Sequence, residues 1–199
     1  MYKRQELVLT VPGSKEANGT RHPDYLNKFP NGTIPGLEDP ATGFLLAESH
    51  AIMCYLCNKH NWTDLYPAEH EARAKVDDFL HYHHRNIKEA SLAFFAPMAR
   101  PDLGLTDDVI NMAKKLFTKG LNALEKQWLE KNNFITGNNP TIADIAAYVE
   151  VGQLQSQFTN LFDFEAYPNV KRWLGEMSNI EGHDAVSYTH LTLPTKQDV

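Results

Sequence analysis

The spacing of apolar residues changes once along this chain, from the two-residue period of strands to the three-and-four steps of helices. Near the start, Glu6 to Val11 alternates and is β-branched, which predicts a strand ending at Pro12-Gly13. A polar loop around Gly13 to Thr20 and a short helix over Pro23 to Lys28 lead to a turn at Ile34-Pro35. Gly36 to Glu38 and Phe44 to Ala47 flank Asp39-Pro40-Ala41-Thr42-Gly43, which has proline and glycine where a hairpin loop wants them. Ser49 stands before an apolar stretch reaching His60, as an N-cap should. After Asn61 to Ala68 the helical period takes over, with Val76, Phe79, Leu80, His83, Ile87, Ala90 and Phe94 on one stripe until Pro97 and Pro101 break it. Thr106 with Asp107 and Asp108 starts the next helix, whose predicted buried stripe is Val109, Met112, Ala113, Leu116, Phe117, Leu121, Leu124 and Trp128. Thr141-x-x-Asp144 has the form of a capping box with Asp for the usual Glu, ahead of the least charged helix. Trp173, Leu174 and Met177 mark a last short helix. The fold class this predicts is α/β followed by all-α.

Composition narrows the function classes. With 199 residues, 42% of them hydrophobic, the chain can bury a sizeable core. Its net charge of −6 and scattered basic residues leave no footprint for nucleic acid or an anionic membrane surface. No apolar run reaches the roughly 18 to 20 residues of a bilayer span, and the first residues lack the apolar centre of a secretory signal. The two cysteines, Cys54 and Cys57, are spaced too closely for a stabilising disulfide framework. A reducing cytosolic setting follows. Cys-x-x-Cys at a helix start can carry redox chemistry, but this pair falls inside a helix among Ile52, Tyr55 and Leu56, and reads as small core thiols. His60 extends the pattern without supplying a fourth ligand, and no acidic or thiol partner completes a set around His81 and His84, so no metal site is expected.

The chemistry concentrates in Phe29-Pro30-Asn31-Gly32-Thr33-Ile34-Pro35-Gly36-Leu37 and Glu48-Ser49-His50-Ala51-Ile52. A residue before proline is driven to an extended conformation, and a tight turn is where a cis X-Pro bond is tolerated. Ile34 is therefore placed to offer its N–H and C=O to an extended ligand, as an added strand would. The helix start at Ser49 favours a carboxylate through its N–H groups and dipole. Each element alone reads as a hairpin lead-in or a helix cap; together they read as a grip on a small peptide.

Asn31-Gly32-Thr33-Ile34-Pro35-Gly36-Leu37 with Glu48-Ser49-x-x-Ile52 resembles the glutathione-binding half of cytosolic glutathione transferases, the theta-like branch most of all. Tyr66-Pro67, Ala72-Arg73-Ala74-Lys75-Val76-Asp77 and Thr141-Ile142-Ala143-Asp144-Ile145-Ala146 follow in the family's order, so the resemblance runs from about Pro23 to Met177. It implies a partial thioredoxin-like domain over residues 1–60, a linker over 61–68, a helical-bundle domain over 69–181, and a tail over 182–199. Val186 to Thr195 has no helical period and resembles translated vector or adapter sequence.

By the same resemblance, glutathione meets Thr33, Ile34, Pro35, Glu48 and Ser49: Ile34 pairs with the cysteinyl main chain, and Glu48 and Ser49 take the γ-glutamyl end. Relatives often carry lysine at the position of Thr33. His84, Lys88 and Phe95 are the candidates for a hydrophobic second substrate. Asp77, His81, His84 and Lys88 recur at helical steps, and the competing reading of that polar face is a solvated one. The implied reaction is conjugation of the glutathione thiolate to a small hydrophobic electrophile, with glutathione as cosubstrate, no other cofactor, and a homodimer as the assembly. Family members carry the thiol-activating hydroxyl or thiol on a strand and helix ahead of the strand that Glu6 to Val11 matches. Its counterpart is expected to be missing here, so the catalytic residue is unknown. The alternative class is a non-catalytic binding or scaffolding protein of the same fold.

Overall fold

The computed structural model describes residues 6–183. Of the tail expected over 182–199, the part from 184 onward, including Val186 to Thr195, lies outside them. Two compact units divide the chain, Met1–Trp62 and Thr63–Val199.

In the first unit α1 (Pro23–Lys28) is opened by His22, whose side chain accepts from the Asp24 amide, with Pro23 at the first helical position. β1 (Gly36–Asp39) and β2 (Phe44–Ala47) form an antiparallel hairpin in the register Gly36 to Ala47, Leu37 to Leu46, Glu38 to Leu45 and Asp39 to Phe44. α2 (Ser49–His60) follows. Lys59 in its last turn bonds Asp39 at the end of β1, and the Phe44 and Tyr55 rings meet at 4.8 Å, so the helix is held to the hairpin at its far end. Lys28 bonds Glu38 at 2.6 Å and ties α1 to the same strand.

The strand expected over Leu7 to Val11 does not form. Val11 makes one isolated bridge to Gly19, while Leu7 and Val8 are 85% and 78% exposed. An alternating segment becomes a strand only against a ladder partner, and no described strand lies beside these residues.

The second unit is helical. α3 (His70–His83) starts under the Glu69 carboxylate, which accepts from the Glu71 and Ala72 amides. Its stripe is buried as the period predicts, with Val76 and Phe79 fully enclosed, and burial continues to Ile87 and Ala90. The helix itself stops at His83. The Lys88 amide reaches back five residues to the His83 carbonyl, and a π-helical turn over Ser91–Phe95 precedes α4 (Ala96–Ala99).

α5 (Asp107–Ala123) runs into a second π-helical turn, Leu124–Trp128. Its buried face is Ala113, Phe117, Gly120, Leu121 and Leu124, whereas Val109 and Met112, placed in the core by periodicity, are 41% and 56% exposed. They sit in the first turns, where the exposed neighbours Asp107 and Asp108 also lie and the core has not yet closed over the helix. α6 (Ile142–Val151) opens with the predicted Thr141–Asp144 capping box, and α7 (Pro168–Ser178) buries Val170, Trp173, Leu174 and Met177. Phe94, Phe117 and Phe162 pack edge to face with centroids near 5.5 Å, which adds directional contacts to the area they bury.

Candidate functional site

The Phe29 to Leu37 segment is built around a buried aromatic ring. Phe29 is 7% exposed, and a Cβ placed on Gly36 would sit 2.7 Å from that ring, so the backbone passes too close for any side chain. Gly32 turns the chain with φ +62°, a conformation glycine adopts freely. The Tyr25 hydroxyl, carried on α1, donates to the Thr33 carbonyl at 2.6 Å and fixes the segment just before the turn. The Ile34–Pro35 peptide is cis. Ile34 is 49% exposed, and among the described residues its own N–H and C=O have no hydrogen-bond partner.

The hairpin brings the two halves of the motif together. Gly36 pairs with Ala47, so Ile34 two residues before and Ser49 two residues after stand at the same end of the ladder. Glu48 occupies the N-cap position with φ 70° and ψ 117°, and makes no side-chain capping bond. A left-handed glutamate stores backbone strain of about 1–3 kcal/mol, and such residues gather at ligand clamps. Ser49 was expected as the N-cap; it is instead the first helical residue. The first main-chain bond, from the Ile52 amide, closes on the Glu48 carbonyl at 2.9 Å, which makes Glu48 the flanking residue. The consequence for an anion is unchanged: the amides of the first turn lie at the positive end of a 12-residue helix. No sequence signal announces a strained glutamate, because Glu48 carries neither a glycine's nor an asparagine's preference for that region.

Thr33, Ile34, Pro35, Glu48 and Ser49 thus lie in one unit, at one end of one hairpin. An unpaired main-chain segment at a half-exposed residue beside a helix N-terminus can take a short extended peptide and a carboxylate. A shallow cavity of about 200 Å³ lies nearby, lined by Lys28, Phe29, Pro30, Asn31, Leu45, Leu46 and Ala47, and contains none of those five.

The second-substrate candidates are more scattered. His84 is half-buried in the turn after α3, Lys88 is exposed, and Phe95 is 36% exposed at the end of the π-helical turn. The regular helix that would have aligned them ends at His83. Sequence reasoning missed Glu150, whose carboxylate accepts from the Ser91 hydroxyl at 2.6 Å across the bundle; burial pushes its pKa up, opposed by Ser91 and Lys88. Cys57 is buried, and that burial, with Cys54 beside it, pushes its thiol pKa up and away from a reactive thiolate. Among the described residues no three His, Cys, Asp or Glu side chains group closely enough to hold a metal ion, and no helix is long and apolar enough to cross a membrane.

Comparison with known proteins bears on both units. The family model described as "Glutathione S-transferase, N-terminal domain" matches residues 7–59, and that described as "Glutathione S-transferase, C-terminal domain" matches residues 107–176. Glutathione S-transferase T3 of Arabidopsis thaliana is 30% identical over 76% of this chain, which spans 27% of that protein's length. Glutathione S-transferase D7 of Anopheles gambiae is 32% identical over 81% of this chain and 70% of its own. A crystal structure of a glutathione S-transferase from Xanthobacter autotrophicus Py2 shares the fold, with a TM-score of 0.73 and 24% identity over 85% of this chain and 79% of that one. The hairpin with its flanking helices is therefore the thioredoxin-like part and the bundle the C-terminal part of a known architecture, and the chain belongs to the glutathione S-transferase family.

Proposed function

We propose that the protein conjugates glutathione to small hydrophobic electrophiles, within the theta-like branch that its Asn31–Leu37 and Glu48–Ile52 motifs resemble. One observation carries the reading: the half-exposed Ile34 keeps a main chain with no internal partner at the same end of the hairpin as the strained Glu48 and the start of α2. The Ile34 N–H and C=O pair with the cysteinyl unit of the tripeptide, Pro35 holds the turn, and Thr33 borders it. Glu48 and Ser49 take the γ-glutamyl end, the carboxylate facing the helix N-terminus. In the reaction the thiol loses its proton, the sulfur forms a bond to the electrophilic carbon, and the leaving group departs with its electron pair. Depressing a thiol pKa by two units from its usual value near 8.5 takes about 2.7 kcal/mol of differential stabilisation. We assign that work to none of the described side chains. Glutathione is the cosubstrate, and the scheme draws on no further cofactor. His84, Lys88 and Phe95 border the electrophile in this proposal, and the assembly is a homodimer.

A second reading, binding without conjugation, is favoured by Tyr25. Its hydroxyl, carried beside the turn, is committed to the Thr33 carbonyl at 2.6 Å. Titration calorimetry with glutathione tests the site, and a chromogenic aryl halide tests the chemistry. Binding weakened about tenfold by Glu48→Gln is expected, the equivalent of about 1.4 kcal/mol for a charge-assisted contact. No binding, or an unchanged affinity in the variant, overturns the site; binding without thioether formation selects the second reading. Sedimentation of the same sample reads the assembly.

A further inference from the structure

We propose that Glu150 is a positioning residue for the electrophile: from α6 it holds, through the Ser91 hydroxyl, the π-helical turn that carries Phe95. In the conjugation reading, on which this rests, Phe95 borders the second substrate. Glu150 is far from it in sequence and is brought to the turn by the fold alone.

The turn is gripped twice. Ser91 opens it, and the Ala96 amide closes it on the Ser91 carbonyl. One grip is apolar: the Phe94 ring meets Phe117 of α5 and Phe162 edge to face, at 5.5 Å and 5.6 Å. The other is polar: the Ser91 hydroxyl donates to Glu150 Oε2 at 2.6 Å, between residues 59 apart in the chain. The Gln153 side-chain amide lies 3.4 Å from that same oxygen and donates to the Glu150 carbonyl at 3.2 Å, so the acceptor is itself held in place. Phe95, next in the chain to Phe94, is left 36% exposed. Were Ser91 released, the turn could close on the shorter α-helical bond, which rotates Phe95 about the helix axis.

Stability alone does not account for this arrangement. Glu150 is half-buried and takes part in none of the ion pairs among the described residues. Lys88 attracts it without reaching ion-pair distance, and burial still pushes its carboxyl pKa up against the pull of Ser91 and Lys88. A carboxylate drawn partly out of water to meet one hydroxyl is a net cost to the fold, and two aliphatic side chains would join the same elements without it. Local rules are broken in this way where a site needs the geometry. Single π-helical turns inside α-helices likewise recur at functional sites.

The test pairs steady-state kinetics on an aryl halide, at saturating glutathione, with amide hydrogen exchange over residues 91–95 of the full chain. Ser91→Ala and Glu150→Leu are each expected to raise the KM for the aryl halide about fivefold to tenfold, by loss of one charge-assisted hydrogen bond, with kcat and the KM for glutathione within about twofold of wild type. The double variant is expected to be no worse than either single one, since both break the same bond. Glu150→Gln keeps an acceptor for Ser91 and is expected to return the aryl-halide KM to within about twofold of wild type. The turn's amides are expected to exchange about tenfold faster in the Ala and Leu variants and at the wild-type rate in the Gln variant. An unchanged aryl-halide KM in both single variants, or a fall in kcat at constant KM, overturns the proposal. If the wild-type chain forms no thioether, the conjugation reading fails, and exchange alone judges the tether: equal rates in all four chains overturn it.

Discussion

Two helices of this chain begin in ways that look alike on paper and differ in space. α6 starts behind Thr141, where the wholly buried Asp144 carboxylate accepts from the Thr141 amide at 2.9 Å, the Ile135 amide at 2.8 Å and the Trp173 indole at 3.0 Å. α2 starts behind Glu48, strained and without a side-chain capping bond, beside the exposed Ile34. A buried helix end must satisfy its own donors, because water cannot. An exposed one can leave them for a ligand. The sealed start organises the bundle, joining α6, the preceding loop and α7; the open one belongs to the candidate site.

The largest effect that separates them is Asp144→Ala. It strips the acceptor from two amides, an indole and the Thr141 hydroxyl in the core, groups that cost about 1–3 kcal/mol each when left unpaired, so a loss of about 3–5 kcal/mol is expected. Urea denaturation measures it. A loss below about 1 kcal/mol would mean that α6 is not sealed in the sense argued here.

How much of this contrast was legible beforehand depends on what each residue needs. Thr141 and Asp144 are spaced for reciprocal capping, and that spacing survives into the structure because it is a local relation. The bond from the Trp173 indole to Asp144 links residues far apart in sequence, and nothing local encodes it. The hairpin followed from Pro40 and Gly43 between two short segments, whereas its register is seen only in the structure. Leu7 to Val11 failed as a strand because a strand depends on a neighbour. Val109 and Met112 failed as core because a period gives a face and not where the core ends. At the candidate site the turn and the helix were legible, whereas the strain at Glu48 and the idle main chain at Ile34 emerge only from coordinates.

Gly36→Ala sharpens the comparison from the open side. Its Cβ would meet the Phe29 ring at 2.7 Å, so about 1–3 kcal/mol of overpacking is expected, read as a lower urea midpoint, with glutathione affinity falling as the turn shifts. Glu48→Gly has the opposite sign for stability. Glycine adopts φ 70° without strain, and after its own backbone entropy cost a gain of up to about 1 kcal/mol is expected, together with weaker glutathione binding in calorimetry. A variant both less stable and unaltered in binding would make Glu48 an ordinary turn residue.

The smallest effect divides the two helix starts most cleanly. Thr141→Ala removes a cap inside the bundle and is expected to cost about 1 kcal/mol. Ser49→Ala changes the first helical residue of α2, where no hydroxyl-to-backbone capping bond exists, and stability should move by no more than about 0.5 kcal/mol. If the Ser49 hydroxyl donates to the γ-glutamyl carboxylate, the same variant lowers retention on immobilised glutathione about fivefold to tenfold, the worth of one hydrogen bond near 1 kcal/mol. The Thr141 variant should elute with the wild type once both are folded. Were the two variants to exchange behaviours, α2 would prove the sealed helix, and the glutathione grip would have to be sought away from the hairpin.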